Sequence, residues 1–143
     1  MTHKWAILAS LLLCMPAIPA DAQGIDTKSV VRPAGVRPAT MPSKEALALG
    51  QKLYGDEKLS TNGMSCMSCH ANFEAFNDTF KKPFPHFVQM ANDAAGLKTA
   101  TAENMVQICM IAPMEAEPLP WGSKELRALT AYVEKLRGDF AKR

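Results

Sequence analysis

The chain has 143 residues, 48% of them apolar, and a formal charge of +2 at pH 7. That length suits one domain with a modest core, and so even a charge balance argues against a nucleic-acid binder or a protein held by a strongly charged membrane surface.

In chain order, Met1-Thr-His-Lys is followed by an apolar run from Ala6 to Met15 and by Ala20-Asp-Ala22, a small-x-small cleavage pattern before Gln23. This arrangement predicts a secretory signal peptide over residues 1–22 and a periplasmic location for the mature chain. The run is too short to span a bilayer, and nothing later approaches the roughly 20 consecutive apolar residues of a membrane helix, so no transmembrane segment is expected. A lipid anchor on Cys14 is disfavoured by Leu13, which stands where a small residue is wanted. Cleavage removes Cys14 and leaves Cys66, Cys69 and Cys109, an odd set that a disulfide framework does not account for.

Residues 23–42, with Pro33, Pro38 and Pro42, read as a flexible leader rather than a packed element. The remaining domain, 43–143, opens with a helix over about 44–54, capped by Ser43, carrying Ala46, Leu49, Gly50, Leu53 and Tyr54 on one side and stopped by Gly55. Residues 60–63 form a turn, and residues 73–85 mix aromatics with Pro, Asp and Asn in the manner of a loop. Thr101 caps a short helix over about 102–109, with Glu103 favoured in its first turn by the helix dipole. Ser123 caps a last helix whose Leu126, Leu129, Tyr132, Val133 and Leu136 recur at helical spacing up to Gly138. No stretch alternates like a strand, so the fold class is all-α, with three or four helices and long loops around a bound group. Nine methionines and six phenylalanines suit an apolar pocket as well as an ordinary core.

Cys66-Met-Ser-Cys69-His70 is the pattern for covalent attachment of c-type haem. Two thiols three residues apart on a helical turn can each form a thioether to one of two vinyl groups, and the adjacent imidazole is then held beneath the iron. Export and this motif support each other, because attachment takes place outside the cytoplasm. A thioredoxin-like pair needs a strand leading into the motif. Zinc needs a second close-spaced pair, although Cys109 and His86 could contribute. A plain disulfide leaves His70 without a role. There is no second motif, so one haem c is expected, with Cys66, Cys69 and His70 as its binding residues.

With Gly50 and Tyr54 on the first helix, the Cys66 to His70 pentapeptide, a late methionine, and Leu129 and Tyr132 on the last helix, the chain resembles a class I cytochrome c over about residues 44–137. The resemblance implies that the first and last helices cross closely, Gly50 admitting Tyr132. It also implies that a backbone carbonyl near Pro83 or Pro85 accepts from the proximal imidazole, and that Met114 is the distal iron ligand. From Cys109 to Leu129 the chain resembles more closely the cytochrome domains of thiosulfate dehydrogenases and of the sulfur-oxidising dihaem subunit. Cys109, Met114, Leu119-Pro120, Ser123 and Glu125 carry that likeness, and there the cysteine can ligate iron. A basic residue which that branch often places between the two ligand positions is absent from Met110-Ile-Ala-Pro113. Met114 and Cys109 therefore both stand as distal candidates, with Met105, Met110 and His86 behind them. A thioether stabilises reduced iron and a thiolate lowers the potential. The implied activity is single-electron transfer with redox protein partners, a reductase, oxidase or dehydrogenase, by a monomer or a subunit of a complex. The alternative is a haem-bearing enzyme or enzyme subunit in thiosulfate-like oxidation. A steering surface of Lys52, Lys58, Lys81, Lys82 and Lys98 is a further expectation.

Overall fold

The computed structural model describes residues 24–143, so the expected signal peptide and Cys14 lie outside it. Among the described residues there are six helices and no strand: α1 (Thr27–Val30), α2 (Ser43–Tyr54), α3 (Met67–His70), α4 (Gln89–Ala95), α5 (Ala102–Ile111) and α6 (Lys124–Phe140). The all-α expectation holds, and the surplus over three or four helices comes from short elements. Two single turns, α1 and α3, and the seven-residue α4 escape a periodicity test that needs several turns to register. None of the described helices is long and apolar enough to cross a membrane.

Helix α2 begins one residue earlier than expected, with Pro42 at the cap position and Ser43 as its first residue, and it ends at Gly55. Its Ala46, Gly50, Leu53 and Tyr54 are buried, largely against Leu126, Ala128 and Leu129 of α6. Gly50 is what permits the approach. A Cβ built there would lie 2.7 Å from the Tyr132 Cβ and 2.8 Å from the Ala128 carbonyl carbon, and closer still to the Ala128 oxygen. The expected crossing of Gly50 with Tyr132 is therefore present, and the Tyr54 and Tyr132 rings meet edge to face beside it at 5.2 Å.

Helix α5 is placed between two cores, which explains why it is apolar on more than one side. Val106 joins Leu53, Tyr54 and the α6 residues, whereas Ile108 joins Val30, Ala91, Ala95 and Ala100. Thr101 caps α5 as expected, and Asn104 completes a capping box by accepting from the Thr101 N–H. Ser123 caps α6 through the Leu126 N–H at 3.1 Å. Gly138 does not stop α6, which runs on to Phe140 because that ring packs against Phe73, Phe76 and Phe80.

The flexible leader expected over residues 23–42 is corrected for its first part. Ile25 N–H donates to the Ala94 carbonyl at 2.7 Å, and Val30 is fully buried. The Asn104 amide donates to the Val30 carbonyl at 2.6 Å. Arg32 then grips Glu103 with two guanidinium N–H groups, donates to the Trp121 carbonyl at 2.6 Å and lies over the Trp121 ring at 5.3 Å. Proline content suggested a spacer, yet one buried valine and one bidentate arginine suffice to dock the segment on α4 and α5.

Candidate functional site

The Cys66–His70 pentapeptide forms a single helical turn. Cys66 takes helical dihedrals, and its carbonyl accepts from the His70 N–H at 3.0 Å, which brings the two ends of the motif onto one turn. The chain then leaves the turn through a constrained loop in which Asn72, Phe73 and Ala75 all have positive φ. Each such residue costs about 1–2 kcal/mol, so the loop is held by what surrounds it.

That surround is aromatic. Phe76 stacks on the His70 ring at 4.1 Å and on Phe80 at 3.9 Å, and Phe84 stacks on His86 at 4.6 Å. The His70 Nδ1 lies 3.0 Å from the Glu74 carbonyl. With that bond Nδ1 carries the proton and Nε2 keeps its lone pair for a metal. This corrects the expected acceptor near Pro83 or Pro85. The positive-φ loop folds Glu74 back onto the ring, and the Pro83 carbonyl is paired with the His86 Nδ1 at 3.2 Å.

Cys66, Cys69 and His70 open on one cavity with an empty volume of about 1020 Å³, part of it continuous with solvent. Tyr54, Phe76, Phe80, Val106 and Val133 are among its walls, and Met105, Cys109, Met114 and His86 also border it. Met110 is buried and is not among the side chains that border the cavity. Met114 is 2% exposed, Cys109 is half-buried, and His86 is buried with its backbone bridged to Ala100. Among the described residues no three His, Cys, Asp or Glu side chains gather closely enough to hold a metal ion, so the zinc arrangement of Cys66, Cys69, Cys109 and His86 is not formed. Among the described residues no strand leads into the motif, contrary to what a thioredoxin-like pair requires, and none of Cys66, Cys69 and Cys109 is joined to another in a disulfide.

Electrostatics around the cavity follow from burial. Loss of water pushes the Cys66 thiol up to about 11 and the Cys109 thiol up to about 12, with neighbouring cysteine sulfurs adding to each. The Tyr54 hydroxyl is raised above its ordinary range by burial first, then by Cys66 and Cys109. It is buried without a hydrogen-bond partner among the described residues. Apolar walls, free thiols on a helical turn, an imidazole with its second nitrogen already fixed and a buried hydroxyl in want of a partner together fit a covalently held macrocycle.

The spacing of the motif pointed to Cys66, Cys69 and His70, but not to Phe76, Phe80 and Phe84, whose four-residue repeat was the available signal. Nor did it point to Tyr54 as a wall of the cavity. A helical domain of this form, folded around such a cavity, defines a cytochrome c fold. The chain belongs to the SoxA/TsdA cytochrome c domain family, whose profile matches residues 49–138. No curated protein and no solved structure matches it. Membership makes the chain a c-type cytochrome with covalently bound haem and iron, working in electron transfer with redox partners.

Proposed function

We propose that the protein is an exported, periplasmic carrier of single electrons with one haem, attached through Cys66 and Cys69, with His70 as proximal and Met114 as distal ligand. The observation that carries this reading is the shared cavity, which both thiols, the His70 ring and the buried Met114 border. When bound, the haem supplies the one-electron iron couple. The chain's own residues do the rest. The Glu74 carbonyl and the Phe76 face orient the imidazole, and the apolar wall of Phe80, Val106 and Val133 keeps water from the metal. A Met114 thioether favours the reduced state and with it a higher potential.

The test is maturation in a host that attaches haem to exported proteins. A mass increase of one haem, lost in Cys66→Ala and Cys69→Ala together, agrees with the reading. Protein that comes out colourless with free thiols overturns it. Partners are redox proteins reached through a lysine surface of Lys52, Lys58, Lys81, Lys82 and Lys98. Lys81 already pairs with Asp78 at 3.0 Å, so its share of the steering is reduced. Electron exchange with a partner should slow as salt rises.

Cys109 on the same cavity wall favours a second reading, a haem-bearing subunit in the oxidation of a sulfur compound with Cys109 as the distal ligand. Thiosulfate that alters neither the spectrum nor the redox state of the matured protein removes that reading.

A further inference from the structure

The turn that leads into the attachment motif also holds the loop that carries Met114. Three consecutive carbonyls of that loop are taken by two consecutive residues of the turn. The Asn62 side-chain amide donates to the Pro113 carbonyl at 2.9 Å, the Thr61 N–H to the Met114 carbonyl at 3.3 Å, and the Thr61 hydroxyl to the Glu115 carbonyl at 2.7 Å. Glu115 has a φ of +50°, a conformation that a glutamate keeps only when its neighbours impose it. Asn62 also accepts from the Met64 N–H at 3.2 Å, so its own amide plane is fixed.

The other end of the loop is held from α5. Gln107, fully buried, donates to the Leu119 carbonyl at 2.7 Å and accepts from the Leu119 N–H at 2.8 Å. Between the two grips, the Met114 N–H reaches the Cys109 carbonyl at 3.3 Å and the Ala116 N–H the Met110 carbonyl at 2.9 Å. The loop is thus closed on α5 and tied across to residues 61 and 62. The two side-chain ties run between exposed groups, where a neutral hydrogen bond adds little to global stability. Their effect falls instead on where the buried Met114 side chain is held.

We propose that Thr61 and Asn62 are positioning residues that latch the Met114 loop onto the segment bearing Cys66, so that attachment of the cofactor and placement of the distal sulfur depend on one turn. This rests on the reading of Met114 as the distal ligand. Residues acting behind a metal ligand change its affinity about 10–100-fold when removed. The latch therefore governs how readily an external ligand displaces the sulfur.

The experiment uses matured, haem-loaded protein carrying Thr61→Val and Asn62→Leu together. Expected are cyanide binding to the ferric protein at least about tenfold faster than wild type, a weakened methionine-to-iron charge-transfer band and faster hydrogen exchange across residues 114–119. The thermal midpoint should stay close to wild type. Thr61→Ser, which keeps the hydroxyl, should behave as wild type. A double variant with unchanged cyanide kinetics and exchange overturns the proposal. So does one whose faster binding merely tracks a lowered thermal midpoint and is shared by Thr61→Ser. Met114→Ala, measured alongside, separates the two ideas. If it abolishes the band while the double variant changes nothing, the latch falls and the ligand stands. If it leaves the spectrum unaltered, the ligand reading falls and the latch falls with it.

Discussion

At the α2–α6 crossing, Gly50 and Tyr132 let two backbones meet, and the apolar side chains around them, Leu53, Leu126 and Leu129, pack on one another. On the far side of Val106 and Val133, which belong to both regions, Phe76 and Phe80 line the cavity that Cys66, Cys69 and His70 border with two thiols and an imidazole. The first region is complete as polypeptide. The second is shaped for a group the chain does not encode, and its loops are long because side chains alone do not have to fill it. Energetics should differ accordingly: the crossing answers to volume, the cavity to chemistry.

The largest expected effect lies on the cavity side. If Cys66 and Cys69 hold the haem as proposed, replacing both by alanine removes the covalent tether and leaves the surrounding aromatic and apolar walls without the surface they would cover. Far-UV circular dichroism and haem stain on a denaturing gel should show loss of both helical content and covalent haem. A double variant that keeps native helicity without haem breaks the comparison, since the cavity would then be self-supporting.

The crossing is tested by Gly50→Val in the haem-loaded protein. A side chain there meets the Ala128 carbonyl, a backbone group that cannot rotate away. Overpacking of this kind costs typically about 1–3 kcal/mol, with the upper end expected against backbone. Denaturant unfolding should show the loss, while the haem spectrum before unfolding stays that of the native protein. Gly50→Ala should cost less, because the gain in helix propensity of about 1 kcal/mol offsets part of the clash.

These two regions were also legible in the sequence to different degrees. Helices α2, α5 and α6 announced themselves through apolar periodicity and through Thr101 and Ser123 at their starts, because caps and stripes are local properties. The Cys66–His70 motif stands out in the sequence because thioether chemistry dictates such a spacing. Helix α4 was not, since Gln89-Met-Ala-Asn-Asp-Ala-Ala has no side-chain cap and only Ala91 and Ala95 to bury, so the second core decides it. The docking of the leader is not legible because its order depends on partners about 70 residues away, Ala94, Glu103 and Asn104. The loop holding Met114 is tied by main-chain carbonyls, which leave no mark on residue identity.

Arg32→Ala probes the docked leader. Both partners of the Arg32–Glu103 pair are 17% exposed, between a surface bridge and a buried one. The expected loss is about 2 kcal/mol, read as a shift in the denaturant midpoint with the haem spectrum unchanged. An equally stable variant would show that the leader rides on the domain without supporting it, and the comparison would then concern only residues 43–143.

The smallest effect is expected at Cys109, and it is the one that sharpens the cavity's chemistry most. Thiolate is the reactive form of cysteine, and burial holds this thiol up to about 12 against a usual 9.0. A rise of that size lowers the thiolate population near neutral pH about a thousandfold. With Met114 on the iron, Cys109 should stay a protonated, unreactive thiol, alkylated by iodoacetamide only slowly and faster as pH climbs toward 12. Cys109→Ala should then leave the spectrum and midpoint potential nearly unaltered, because the side chain is a small apolar filler on the wall. A thiolate ligand would reverse both results. Alkylation would be blocked at every pH at which the protein stays folded, since the metal would hold the sulfur deprotonated, and Cys109→Ala would raise the potential by removing a donor of negative charge.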